Sequence, residues 1–327
     1  MGFSIDRRTF GLGALAAMTG GLPAPALAQS WPARNLTFIV PYPAGTGADF
    51  IGRVLGDAVG SRLNQKVIVE NRAGAGATIG TGAFANAPAD GYTFLVTGPS
   101  PIVNAPLLYK SLSYDPTKFT PISMVMESPI VVLVSSEVPA NNLKELVAYA
   151  KANPGKLKFG ETGAGSTHQL LNFIFKKAAN VDINMISYKT VYPMMDLVAG
   201  RIDVMLDYPG QYVPHVRAGK VKILANLHTS RHKTYPDTPT MAEAGLPEYP
   251  GWLGWFAVLA PAGTSKEVVD KMNAALSDFL KTKEAADKFA QQDYIATPST
   301  PEAVTAKMRQ ETEVLARIIK ENNISLD

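Results

Sequence analysis

"FIVPYPAGTGADFIGRVL", residues 38–55, runs from an apolar strand through a turn of prolines and glycines straight into a helix, and the turn carries no obvious catalytic side chain. Strand, glycine loop and helix is also how dinucleotide-binding units begin, so the stretch points to an α/β architecture and leaves the ligand open. "GTGADF" puts Phe50 where a third glycine is required, and no Walker lysine follows any glycine run, so both phosphate-loop fingerprints fail. What survives is a fit to a small anion. Glycines let a ligand approach backbone N–H groups, and Asp49 is placed to cap the helix.

Outward from this stretch, β-rich runs alternate with helical patterns: "LTFIV", a helix from about Asp49 to Leu63, "KVIVE" and "YTFLV". After "ISMVM" and "IVVLVSS" the cycle restarts with "KLKFG", "NMISY" and "IDVML", each followed by a helical pattern. The alternation predicts two domains, each a mostly parallel sheet covered by helices. The helices after "WFAVLAP" are too few for a third domain and return to the first. The expected division is 29–127 plus 254–327 for domain 1 and 128–253 for domain 2, with two crossings that make a hinge. A length of 327 residues, 46% of them apolar, also favours two cores over one.

Ahead of the first strand, Arg7 and Arg8 precede an apolar run from Phe10 to Leu22 and the small residues Ala26 and Ala28. This reads as a signal peptide over residues 1–28, twin-arginine or general secretory, and the run is too short and too broken by Gly20, Gly21 and Pro23 for a membrane anchor. Its removal takes two bases and one acid and leaves a net charge of +2, with charges scattered along the chain, so nucleic acid is not an expected partner. The absence of cysteine excludes disulfides, thiolate nucleophiles and a lipidated cysteine. The mature protein is expected free outside the cytoplasm, as a monomer.

A second loop repeats the logic of the first. "KFGETGAGSTHQLLNFIF" passes from a strand through Gly163, Ala164 and Gly165 to Ser166, Thr167 and His168 at a helix start, where hydroxyls and free amides would face a carboxylate. Alone it reads as an ordinary cap; two such loops in matching places favour a ligand, because open α/β sheets bind at strand C-termini. His228 and His232 lie four apart with no third ligand near, and read as solvated surface histidines; no metal or other cofactor is expected. With no G-x-S-x-G elbow either, no catalytic machinery is visible. Tyr188, Tyr192, Tyr208 and Tyr212 fall in loops after strands of the second unit, within reach of a cleft.

Several segments together resemble the substrate-binding receptors of tripartite tricarboxylate transporters, the Bug receptors: "FIVPYPAGTGAD", "VIVENRAGAGATIG", "ADGYTFLV", "NPGKLKFGETGAGST", "GRIDVMLD", "PDTPTMAEAGLP" and "WFAVLAPAGTSKEVVDKMN". The resemblance implies a Venus flytrap of the type II-like periplasmic-binding-protein class, holding a small organic carboxylate for transfer to membrane transporter subunits. By position, Tyr42, Pro43, Ala44, Gly45, Thr46, Gly47, Ala48 and Asp49 receive one end of the ligand. Gly163 to Thr167 and His168 hold its carboxylate, while Ser100, Tyr188, Asp207 and Tyr208 complete the cleft. The chain departs from the family in having Gln169, beside His168, where a histidine is usual, and Thr190, Val191 and Tyr192 where a glycine-rich turn is usual. That altered turn predicts an atypical pocket, with Tyr192 and Met194 offering flat, polarisable surface to an aromatic acid. An exported α/β enzyme acting on a small acid, and a receptor feeding a signalling sensor, are the competing readings.

Overall fold

The computed structural model describes residues 31–188, 192–232 and 235–321, with Met1 and Ile324; the expected signal peptide after Met1, and Thr190 and Val191 of the expected altered turn, lie outside the described residues. In chain order the first region contains β1 (Leu36–Val40), α1 (Gly47–Leu63), β2 (Val67–Asn71), α2 (Thr78–Ala85), β3 (Thr93–Thr97), α3 (Ala105–Leu108) and β4 (Thr120–Pro129). The second has β5 (Val131–Ser135), α4 (Leu143–Ala152), β6 (Lys158–Glu161), α5 (Thr167–Ala179), β7 (Asn184–Ser187), α6 (Met194–Val198), β8 (Val204–Asp207), α7 (Val213–Arg217) and β9 (Val221–Asn226). The chain then returns through β10 (Leu253–Ala260), α8 (Lys266–Leu280), α9 (Lys283–Ala290), β11 (Ile295–Ala296) and α10 (Pro301–Glu321). Among the described residues no helix is long and apolar enough to cross a membrane.

The strands form two separate sheets, ordered β11-β4-β10-β3-β1-β2 and β7-β6-β8-β5-β9. This is a two-domain α/β fold. Both sheets are mixed, where the alternation of strands and helices predicts mostly parallel ones. β1 pairs parallel with β2 and β3, and β6 with β7 and β8, but β10 runs antiparallel to β3 and β4, and β5 antiparallel to β8 and β9. The reversal has a topological cause. β10 and β5 are the strands with which the chain enters each sheet from the other, so they are not products of a right-handed βαβ crossover and take the opposite direction.

Each domain's first long helix is built alike. α1 starts at Thr46, whose hydroxyl accepts the Asp49 N–H, and ends at Asn64 in the left-handed conformation. It buries Ile51, Leu55, Ala58 and Val59, one face of a 3.6-residue repeat. α5 starts at Ser166, whose hydroxyl accepts the Gln169 N–H, ends at left-handed Asn180, and buries Leu170, Leu171, Ile174 and Phe175. These faces and the fully buried Phe38, Phe94 and Phe159 fix both helices on their sheets, so the two helix starts are rigidly placed. α10 packs on β4 and closes over β10, where Trp255 is fully buried and its indole N–H donates to Glu311.

Candidate ligand-binding site

Between the sheets lies a cavity of about 960 Å3, counting the solvent at its mouth. Its walls come from the segments just after β1, β2 and β3 on one side and after β6, β7 and β8 on the other, so every major contributor leaves a strand at its C-terminal end.

On the first side, the turn after β1 is held by its own polar groups. The Thr46 hydroxyl donates to the Pro43 carbonyl at 2.8 Å, and Asp49 accepts from the Gly45 N–H at 2.9 Å and from Arg53 Nε at 3.1 Å. Burial works to raise the Asp49 pKa, but Arg53, Gly45 and Asn71 outweigh it and hold the carboxyl below its ordinary range. Asp49 therefore braces the turn and faces away from the cavity. With the Asp49 N–H capped, the N–H groups of Gly47 and Ala48 have no intrahelical acceptor, and both residues line the cavity. A Cβ at position 47 would stand 1.9 Å from the Tyr294 hydroxyl, so any larger residue there forces the Tyr294 side chain to shift.

On the second side, Ser166 caps α5, which leaves the N–H groups of Thr167 and His168 without intrahelical acceptors, again at the cavity wall. Asp207, 1% exposed, ends β8 and gathers three donors, the Tyr208 N–H at 2.8 Å, the Tyr212 hydroxyl at 2.9 Å and the Tyr192 hydroxyl, with His168 Nε2 in hydrogen-bond contact at 3.1 Å. The other ring nitrogen of His168 lies 3.0 Å from Thr162 Oγ1, and Thr162 lines the cavity. Burial raises the Tyr42 pKa to about 12, and burial with the nearby carboxylate raises Tyr192 well above the phenol range. Burial and neighbouring Tyr294 do the same for Tyr208. These groups remain neutral phenols at physiological pH. Among the described residues that line the cavity there is no lysine or arginine.

Of the residues predicted from sequence, Tyr42, Pro43, Thr46, Gly47, Ala48 and Ser100 line the cavity from the first side. Ser166, Thr167, His168, Tyr188, Tyr192, Asp207 and Tyr208 do so from the second. Ala44, Gly45 and Asp49 of the first turn and Gly163, Ala164 and Gly165 of the second do not line the cavity. The latter serve contact between the domains. The Ala164 carbonyl accepts from the Tyr109 hydroxyl at 2.8 Å, and the Gly165 carbonyl from Ser100 at 3.3 Å. Asn104 donates to Thr167 Oγ1 at 3.0 Å. Tyr212 and Met194 are packed behind the wall and not in it. His228 and His232 are half-buried instead of fully solvated, and burial lowers the His232 pKa.

Sequence reasoning missed Gly74, Gly76 and Ala77, which reach the cavity from the loop after β2, and Gln211, Phe256 and Tyr294. The first group was visible in principle, since "ENRAGAGATIG" repeats the pattern of strand, glycines and helix. Tyr294 gave no local signal: it follows α9, far along the chain from the strands it faces.

The tripartite tricarboxylate transporter family receptor model matches residues 51–324. Protein BugT of Bordetella pertussis (strain Tohama I) is 35% identical over 311 residues, covering 94% of this chain and 95% of its own. A protein of R. palustris solved with adipate is 30% identical and superposes with a TM-score of 0.86, covering 90% of this chain and 99% of its own. MatC from Rhodopseudomonas palustris, solved with bound malate, is 28% identical with a TM-score of 0.83, covering 88% and 99%. These are solute-binding receptors and not enzymes, and the match runs through both sheets and both cavity walls: the chain belongs to the tripartite tricarboxylate transporter receptor family.

Proposed function

We propose that this receptor captures a small organic carboxylate between its two domains outside the cytoplasm and delivers it to membrane subunits of a tripartite transporter. One observation carries the reading: two pairs of helix-start N–H groups, Gly47 with Ala48 and Thr167 with His168, face one cavity whose described lining residues include no lysine or arginine. Oriented amides and helix dipoles do the anchoring. Relatives solved with adipate and malate support an acid as cargo. The body of the ligand is aromatic or otherwise flat, because Tyr42, Tyr192, Tyr208, Phe256 and Tyr294 surround the space between the anchors. The domains, 29–127 with 254–327 and 128–253, hinge on the paired strands β4 and β10 and close on the ligand, since only closure lets both helix starts reach it.

Calorimetry with benzoate, nicotinate, adipate and malate tests the ligand class. Tight one-to-one binding of an aromatic acid is expected; preference for a four- or six-carbon aliphatic diacid would remove the aromatic assignment and keep the receptor. Small-angle scattering is expected to show compaction on binding, and an unchanged radius at saturation would remove the hinge. Uptake of labelled acid into vesicles carrying the transporter subunits is expected to require the receptor, and uptake independent of it would overturn delivery.

A further inference from the structure

Asp207, His168 and Thr162 form a chain of hydrogen bonds whose last member lines the cavity. The direction of each bond follows from donor counting. The Tyr208 N–H and the hydroxyls of Tyr192 and Tyr212 all donate to Asp207, which is therefore an acceptor on both oxygens, so His168 Nε2 donates to it as well. In a neutral imidazole with its proton on Nε2, Nδ1 accepts, and it takes the Thr162 hydroxyl proton. Thr162 then shows the cavity only lone pairs. In the imidazolium both ring nitrogens donate, Nδ1–H points at Thr162 Oγ1, and the hydroxyl proton is released to the cavity.

We propose that this chain reads the charge of the ligand's end group: an anion beside Thr162 draws a proton onto His168 and receives the Thr162 O–H, while a neutral donor such as a carboxamide is met by the unprotonated ring. The inference rests on the receptor reading above and adds a positioning residue, His168, and a specificity-determining one, Thr162. The proton comes from solvent and no bond other than N–H and O–H changes. The other titratable groups around the ring are Tyr192, edge-on with ring centroids 6.1 Å apart, and Glu161 at the end of β6, held by Gln169. Glu161 is 3% exposed, with burial raising its pKa, and Tyr212 stands beyond Asp207. Among the described lining residues no lysine or arginine competes for the role.

Imidazole nitrogen NMR of the ligand-free protein, with the His168 signals assigned by their loss in His168→Gln, reads the tautomer directly. A proton on Nε2 and a bare Nδ1 in the neutral form is expected; the opposite tautomer would overturn the relay whatever ligand binds. Calorimetry then compares benzoate with benzamide, or adipate with adipamide should the diacid bind more tightly. Acid binding is expected to take up a proton and to weaken roughly tenfold to a hundredfold as the pH is raised, the loss of one hydrogen bond to a charged group. The amide is expected to show no such loss. Thr162→Val should flatten the acid's pH profile and Thr162→Ser should restore it. A pH-independent acid affinity in the wild type, or an unchanged profile in Thr162→Val, overturns the proposal. Failure of every acid to bind overturns the receptor reading instead, and the tautomer still decides the relay.

Discussion

The two helix starts that face each other across the cavity are alike in backbone and opposite in side-chain economy. At the first, Thr46 spends its hydroxyl proton on Pro43, Asp49 is tied to Arg53, and what the helix start offers the cavity is backbone N–H. At the second, Ser166 accepts from Gln169, Thr167 accepts from Asn104, and both keep a hydroxyl proton to give, with the Asp207 cluster alongside. One side offers the cavity backbone N–H groups, and the other adds hydroxyls and the Asp207 cluster.

The largest effect that tests this contrast is loss of the carboxylate at the heart of the second side. Asp207→Ala leaves two phenols, an imidazole and an amide around an empty position, and is expected to cost about 3 to 5 kcal/mol of stability in urea titrations. Asp49→Ala, whose Arg53 partner is 56% exposed, is expected to cost no more than about 1 kcal/mol. Equal losses would break the distinction between the two sides.

Next in size is a pH effect that lies outside both helix starts and must be separated from them. Burial raises the Glu311 pKa from 4.5 to about 7, against the opposing pull of Trp255 and Lys307. The folded state thus keeps a proton that the unfolded chain has already lost, so this residue's contribution falls as pH rises from 4.5 to 7 and stays low above it, by about 3 kcal/mol. In Glu311→Gln that fall should vanish, leaving the variant more stable than wild type at pH 8. A wild-type-minus-variant difference that does not change between pH 4.5 and 7 would refute it.

The caps themselves sharpen the comparison most directly. Thr46→Ala and Ser166→Ala should each lose about 1 kcal/mol of stability. Acid binding, however, should weaken by about 1 to 3 kcal/mol only in Ser166→Ala and Thr167→Ala, where the hydroxyl proton meets a charged oxygen. Wild-type affinity in the Ser166/Thr167 double variant would sink the role of the second side. The smallest expected effect is in Tyr42→Phe, which loses a 3.3 Å contact to Thr97 and the acceptor of the Gly98 N–H, about 1 kcal/mol in thermal unfolding.

Both helix starts were legible because they are local: strand, glycine, hydroxyl and helix follow within a few residues, and caps act over three. The restart of the cycle after "IVVLVSS" likewise announced a second sheet. Strand direction was not legible, because β5 and β10 look like any buried strand and their antiparallel course depends on which sheet the chain has just left. The part of the site held by Asp207 was read as a cleft wall, yet its donors come from positions 168, 192, 208 and 212, and no spacing rule brings His168 to the end of β8. The aromatic reading was similarly mixed: Tyr192 and Tyr208 reach the cavity, while Tyr212 and Met194 pack behind it.

Gly76, in the left-handed region at φ 61°, offers a handle on this receptor as an instrument. A Cβ there would stand 2.3 Å from the Ala164 carbonyl oxygen, a backbone atom of the opposite domain that cannot fold out of the way. On the proposed hinge, one methyl group at this seam would act as a doorstop and prop the jaws apart. Paired with the native chain in a fluorescent reporter, it would supply the blank that never closes, against which a closing sensor for small acids is calibrated.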